Sequence, residues 1–356
     1  MRIVLGIESS CDETAVALVR EDGAILAQTL ATQQAEHAPY GGVVPEIAAR
    51  AHLAQIDRLY LQALAEAKLT IHDVDAIAVT TGPGLIGGVI VGVMLGKALA
   101  LAANKPFIIP RRLEGHALTV RLTHKVQFPY FLLLISGGHC QQLVVRGVGD
   151  YVRLGGTKDD ALGEAFDKCA KMLGLPYPGG PALERAARGG NPKAYTFPRP
   201  LKGTDGCDFS FSGLKTAVRL TIEKEVARAG SLTNTIIEDV AASFEAAVLD
   251  VLDDRVCRAL AIAQADYPIT ALSVAGGVAA NQAIGQSLAT LARAHHLPLV
   301  IAPPALCTDN AVMIAWAGME RLQQGVCDDL AVEPRARWPL TELMPIIARQ
   351  ADSQTV

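Results

Sequence analysis

Residues 6–14 read GIESSCDET and residues 135–140 read ISGGHC. The first stretch joins two strand-like runs, 3–7 and 14–19, and the second joins 130–135 to 142–145. Each is a turn of small and polar residues set between β-branched and apolar runs, the pattern of a β-hairpin. Small residues let backbone N–H groups approach an anion closely, and an adjacent carboxylate can position a cation or a nucleophile. The paired glycines of ISGGHC also permit the backbone conformations that close ligand approach requires. The same device occurring twice predicts a chain built from two copies of one plan.

Working outward from the two turns, each copy continues into strands that alternate with helices. After the first come an amphipathic helix over 46–69, a buried strand over 76–81, the loop GPGLIGG at 82–88, an apolar helix over 89–103 and a short strand at 107–110. After the second come a helix over 157–173, with Thr157 as N-cap and Asp159 and Asp160 in its first turn, and an irregular Pro- and Gly-rich stretch over 176–215. A long helix follows at 236–263, then a strand at 269–274 that runs into AGGVAAN, a strand at 299–301, and a helix from about 310 to 323 after PPALCTDN. Alternation of this kind marks an α/β layer fold. The sequence places one lobe at 1–128 and a second at 129–340, the latter with a helical and loop insertion at about 157–230, and a tail at 341–356. Two such halves facing each other form a cleft into which the turns point.

Composition narrows the function. Half of the 356 residues are hydrophobic and 19% are charged, ample for a large core. The formal net charge of -4 excludes a chain that is basic throughout, so any RNA contact must be local or shared with a partner. The seven cysteines are odd in number and form no CxxC, which supports neither a disulfide framework nor a zinc ribbon. They read as small core residues. The N-terminus runs straight into a strand pattern, and the apolar run 89–103, interrupted by Lys97, falls short of a membrane span. The expected location is cytoplasmic, without membrane attachment.

Several stretches carry chemistry. GPGLIGG fits a dinucleotide fingerprint, but the acidic residue that a ribose needs about 20 residues on is missing, and PFIIPRR supplies arginines instead. In the segment 159–181, Asp160, Glu164, Asp167 and Lys168 fall near one helix face; Asp167 can bind ribose hydroxyls, while a solvated charged face is the plainer reading. Asp309 and Asn310 open a helix, where an N-cap is the plainer reading. In RRLEGHALT, 111–119, His116 has Arg112 one turn before it. Histidines four apart on a helix share a face and can hold one metal ion, but a guanidinium has no free lone pair. A zincin needs HExxH, which RRLEGH lacks. In 184–202, Arg185, Arg188, Lys193, Arg199 and Lys202 alternate with Tyr195 and Phe197, a pattern that suits phosphates and splayed bases, or a solvated loop.

The three turns in order, GIESSCDET, ISGGH and AGGVAAN, resemble the phosphate and adenosine loops of the actin, sugar-kinase and Hsp70 (ASKHA) fold. The longer blocks GIESSCDET, HAPYGGVVPEIAAR, GPGLIGG, LEGH, ISGGH, GEAFDKCAKMLGLPYPGGP, DFSFSGLKT, AGGVAAN and CTDNAVMIA run in order over nearly the whole chain. They resemble the tRNA adenosine threonylcarbamoyltransferases, the TsaD family, formerly called O-sialoglycoprotein endopeptidases. The resemblance implies a duplicated α/β ASKHA fold with two lobes around a nucleotide cleft. It implies transfer of threonylcarbamoyl from threonylcarbamoyl-AMP to N6 of adenosine 37, in tRNAs reading codons that begin with A, releasing AMP. It implies substrate contacts at Leu134, Ile135, Ser136, Gly137, Gly138, Asp167, Gly180 and Asn281. It implies one divalent metal, iron or zinc, on two histidines and an aspartate; His116 and Asp309 match, and Arg112 stands at the third position. Protein partners of the TsaB and TsaE kinds are implied too.

The donor is an activated mixed anhydride, so no protein nucleophile is needed, and the site must orient the reactants and stabilise charge. Asp12 or Glu13 is the expected acceptor of the amine proton. The alternative from another class is a non-catalytic nucleotide-binding scaffold of the same fold, weakened by the change at Arg112.

Overall fold

A computed structural model describes residues 1–338 of the chain; the tail expected at 341–356 and the end of the second lobe lie outside the described residues. The chain forms two compact units. One comprises Met1–Lys125, Gly147–Tyr151 and the described residues from Thr308 onward; the other comprises Val126–Arg146 and Val152–Cys307.

The first unit carries β1 (Ile3–Glu8), β2 (Glu13–Arg20), β3 (Ile25–Thr32), α1 (Gln34–His37), α2 (Pro45–Ala67), β4 (Ala76–Val79), α3 (Ile86–Ala103), β5 (Phe107–Ile108) and α4 (Arg112–His124). Its sheet runs in the order β3-β2-β1-β4-β5. β1 is antiparallel to β2 and parallel to β4, and β4 is parallel to β5. Side chains alternate across a strand. Leu5 and Ile7 of β1 therefore join Ile56 and Leu59 of α2 and Val89 and Val93 of α3 in one buried cluster. The intervening Gly6 faces the other way, where a Cβ would lie 2.6 Å from the backbone nitrogen of Ala315. Glu8, two residues on, shares that face.

The second unit carries β6 (Tyr130–Ile135), β7 (Cys140–Gly147), β8 (Asp150–Gly156), α5 (Leu162–Met172), α6 (Gly179–Ala187), α7 (Ser212–Ala229), α8 (Asn234–Asp266), β9 (Leu272–Ala275), α9 (Gln282–Ala294) and β10 (Leu299–Ile301). Its sheet order is β10-β9-β6-β7-β8, the order of the first sheet repeated. β6 is antiparallel to β7 and parallel to β9, and all six of its residues are buried. The duplicated plan expected from the two hairpin turns is thus present.

After the second sheet, α10 (Ala311–Gln323) packs on β1, β2 and β4 and belongs to the first unit, whereas the sequence assigns the whole of 129–340 to the second lobe. The close fit of Gly6 and Gly318 between β1, β4 and α10 is what ties this late helix to the first sheet. Two strands were not foreseen, β3 and β8. Both are edge strands whose outward residues are exposed or charged, so the apolar signal is thin. The helix expected from Thr157 starts at Leu162, with Ala161 as N-cap. Thr157 instead bonds the Asp160 carbonyl, and Asp159 accepts hydrogen bonds from Ser210, Phe211 and Ser212, which holds 157–160 out of helix. The stretch 176–215 is not wholly irregular, since α6 lies within it.

Candidate active site

In the first unit a charged group is assembled around α4. Arg111 is extended at the N-cap, and the backbone N–H of Arg112 donates to the Gly82 carbonyl at 3.1 Å, fixing where the helix begins. Residues four apart share a helix face. Arg112 and His116 both reach Asp309, which directly precedes Asn310, the N-cap of α10, whose side chain accepts from the Met313 N–H at 2.9 Å. Arg112 Nη1 lies 3.0 Å from Asp309 Oδ2, and His116 Nε2 lies 2.9 Å from Asp309 Oδ1. Burial disfavours the Arg112 charge, but Asp309, with Cys11, Glu8 and Glu13, more than offsets it and holds the guanidinium protonated.

Asp12 ends the turn between β1 and β2 and Glu13 opens β2; both are half-buried and share a hydrogen bond. Burial, then Asp309 and Asp12, push the Glu13 carboxyl up to about 9. Glu8 is fully buried at the end of β1, where burial and Asp309 push it up to about 7, against hydrogen bonds from Ser10 and Thr80. Its Oε1 accepts from the Ser10 N–H at 2.6 Å. Glu8 was not singled out by the sequence, because one acid at the end of an apolar strand gives no pattern.

In the second unit a cavity of about 440 Å³ is lined by residues from four separated segments, among them Gly137, Asp167, Gly180 and Asn281. Four of the eight expected substrate residues thus meet there. Leu134 and Ile135 are wholly buried strand residues that carry the turn, Ser136 is half-buried with its hydroxyl accepting from the His139 N–H, and Gly138 is exposed. Asp167 Oδ1 accepts from the Gly180 N–H at 3.1 Å. Burial raises the Asp167 pKa, partly opposed by the N–H groups of Gly180 and Gly179. Asn281 caps α9, accepting from the Ile284 N–H at 2.9 Å. Gly276 has φ of 93°, a left-handed conformation that places the AGG turn against the Ile135 carbonyl, where no Cβ fits. Phe166, Glu184 and Gly277 also line the cavity and were missed. Gly277 lies inside the quoted AGGVAAN, and Glu184 lies in α6, a helix the Pro- and Gly-rich composition concealed.

The glycines of GPGLIGG serve packing: a Cβ on Gly84 would meet Ser10, and one on Gly88 would lie 2.8 Å from the His52 ring. Among the described residues one helix, α3, is long and apolar enough to cross a membrane, where the sequence counted its apolar run as short. That helix is one-third buried, and Lys97 donates to the Val332 carbonyl. In the basic stretch, Phe197 is a core residue, and Arg199 and Lys202 both pair with Asp250; Arg185 and Lys193 are exposed. None of the seven cysteines is in a disulfide, but Cys257 and Cys327 are exposed, so those two are not core residues.

The donor set does not fit the metal that the resemblance implies. Asp309 gives one oxygen to Arg112 and the other to His116. His116 Nδ1 is buried without a hydrogen-bond partner, whereas a ligating histidine ordinarily donates its second nitrogen to an acceptor that orients the ring. Among the described residues no group of three or more His, Cys, Asp or Glu side chains is placed to hold a metal ion.

Two like-ordered sheets, each opening on a hairpin with a small polar turn, define an α/β protein of the ASKHA type. Solved structures share the fold. Full-length HypF in a phosphate- and nucleotide-bound form superposes with a TM-score of 0.59 at 11% identity, over 91% of this chain and 47% of that one. The activator of 2-hydroxyisocaproyl-CoA dehydratase from Clostridium difficile, with bound ADPNP, does so with a TM-score of 0.50 at 14% identity, over 92% and 99%. Within that class the chain belongs to the TsaD family, tRNA N6-adenosine threonylcarbamoyltransferase, whose model matches residues 24–316. Curated relatives carrying that name include those of Brucella anthropi, 58% identical over 95% of both chains, and Rhodospirillum rubrum, 59% identical over 95% of this chain and 94% of the relative. The chain is therefore a transferase acting in tRNA modification.

Proposed function

We propose that this chain transfers threonylcarbamoyl from threonylcarbamoyl-AMP to N6 of adenosine 37, in tRNAs that read codons beginning with A, and releases AMP. The observation that carries the reading is the meeting of Gly137, Asp167, Gly180 and Asn281 on one cavity, in a chain that belongs to this family. The N6 amine attacks the carbamoyl carbon, the bond from that carbon to the phosphate oxygen breaks, and AMP carries the electron pair away. Because the donor is already activated, the protein's work is orientation and charge stabilisation.

In this reading the second unit's cavity holds the adenylate part of the donor. The Asp167 carboxylate accepts from the ribose hydroxyls while the Gly180 N–H fixes its other lone pairs. In the first unit, Glu13 keeps its proton at neutral pH and shares it in a hydrogen bond with Asp12. That leaves Asp12 as the acceptor of the amine proton. Replacing Asp12 with Ala while adenylate binding stays intact tests the role; unchanged turnover removes it.

The tRNA contact is assigned to the exposed Arg185 and Lys193. A protein partner, of the TsaB kind, is assigned to the exposed apolar residues Leu53 and Leu61 of α2 and Ile90, Met94 and Leu101 of α3. A TsaE-like ATPase and a cytoplasmic location complete the proposal. The test is in vitro. The chain, threonylcarbamoyl-AMP, partner proteins and unmodified tRNA are combined, and the RNA is digested and analysed by mass spectrometry for the threonylcarbamoylated nucleoside. Adenylate binding with no modified nucleoside favours the scaffold instead.

A further inference from the structure

The group around Asp309 is complete without a dication. Arg112 and His116, one helical turn apart on α4, each take a different oxygen of the same carboxylate, at 3.0 and 2.9 Å. Arg112 and Asp309 are nearly buried, with side-chain exposures of 11% and 13%. A divalent ion on His116 and Asp309 would need the Nε2 lone pair and a carboxylate oxygen at about 2.0–2.2 Å. Here Nε2 and Oδ1 face each other in a hydrogen bond, and Oδ2 faces a guanidinium. That guanidinium cannot neutralise itself to make room, because it stays protonated under all ordinary conditions. A dication in this place would lie beside a permanent positive charge that shares its carboxylate, where burial keeps solvent screening weak. No third protein donor among the described residues compensates.

We propose that Arg112 takes the place of the cation in this chain, so that its guanidinium is the resident positive charge of the site and no divalent ion is held there. The substitution keeps a fixed positive charge against Asp309 while removing the metal's requirement for lone-pair donors. It also predicts which single change restores a metal site: histidine at 112 recreates two imidazoles four residues apart, facing one aspartate. The metal content follows from the donor set alone; only the consequence for activity, insensitivity to chelators, rests on the transferase reading.

The test measures metal, not turnover. The full chain is purified without oxygen, its metal content is read by plasma mass spectrometry, and it is titrated with Co2+, whose absorption reports ligation by nitrogen and oxygen. The wild-type chain is expected to carry well under one ion and to give no Co2+ spectrum that H116A removes. Arg112→His is expected to bind one ion per chain, and R112H/H116A to lose it. A wild-type chain holding a stoichiometric ion that H116A or D309A abolishes overturns the proposal. So does a folded R112H chain with unchanged metal content. If R112H does not fold, the wild-type measurements decide on their own. Transfer activity that fails in every sample, with metal absent from the wild type and present in R112H, counts against the transferase reading and leaves this inference standing.

Discussion

Arg112 Nη1 and Asp309 Oδ2 lie 3.0 Å apart although 197 residues separate them in the chain. The pair joins the start of α4 to the residue before the α10 N-cap, within one unit. Truncating one member of a buried pair leaves the other charge uncompensated. Arg112→Ala is therefore expected to destabilise the chain by about 3–5 kcal/mol, while Arg112→Lys, which keeps the charge, costs less. Chemical denaturation of the two variants beside the wild type checks the order.

The Asp167 carboxylate is predicted to carry adenylate affinity. Asp167→Ala removes the acceptor and is expected to weaken AMP binding by about 10- to 100-fold, the scale of about 1–3 kcal/mol for a buried hydrogen-bonding group. Asp167→Asn, which keeps one acceptor oxygen, loses less. Calorimetric titration with AMP measures both, and equal affinity in all three proteins would remove Asp167 from the site.

Stability should fall as pH rises from mildly acid to mildly alkaline. Burial, then Asp309, push Glu8 from 4.5 to about 7 and Glu13 from 4.5 to about 9. Between the unfolded and folded values the native chain holds protons that the unfolded chain has lost. The unfolding free energy therefore decreases with pH in that window. The Glu8 contribution falls between 4.5 and about 7, and that of Glu13 continues to about 9. Glu8→Gln with Glu13→Gln is expected to flatten the slope. Denaturant midpoints at several pH values measure it, and a wild-type slope of opposite sign contradicts the assignment.

A second buried pair is structural. Arg321 of α10 donates to Glu114 Oε2 of α4 at 2.8 and 3.1 Å, with Glu114 fully buried. Arg321→Met alone should cost about 3–5 kcal/mol by stranding the carboxylate, and adding Glu114→Gln should recover part of it. A double-mutant cycle in denaturant gives the coupling, and additive losses would contradict a direct interaction.

The partner surface proposed on α2 and α3 is expected to be separable from ligand binding. Leu61→Glu with Met94→Lys, both highly exposed in the wild type, should abolish co-elution with a TsaB-like partner and leave AMP affinity unchanged. Retained co-elution would move the interface elsewhere.

The two hairpin turns were legible because they are local: a strand, a run of small residues and a strand leave a continuous mark in sequence. Sheet order was not legible, because the edge strands β3 and β8 left too thin an apolar signal to be read as strands. What escaped reading depends on distant partners. Thr157 looks like an N-cap, yet Asp159 is claimed by Ser210 and Ser212, some fifty residues on, with sequence separations of 51 and 53. The return of α10 to the first sheet is set by the close fit of Gly6 and Gly318, which no local pattern announces. Asp167 was singled out from its place on a helix face as well as through family resemblance, Gly180 and Asn281 were named as substrate contacts through the resemblance, and Phe166 and Glu184 enter the cavity only once α5 and α6 pack together. At Arg112 the sequence posed the question correctly, since the residue type alone excludes ligation. Which atom the guanidinium faces required the three-dimensional arrangement.

The most direct test of the account is a single-turnover reaction with threonylcarbamoyl-AMP labelled in the carbamoyl carbon. Label in the anticodon-loop fragment of the tRNA and free AMP are counted in the same tube. The account predicts equal amounts, rising together, and loss of both in Asp12→Ala with adenylate binding intact. AMP released without label in the RNA, or label appearing unchanged when Asp12 is replaced, would contradict it.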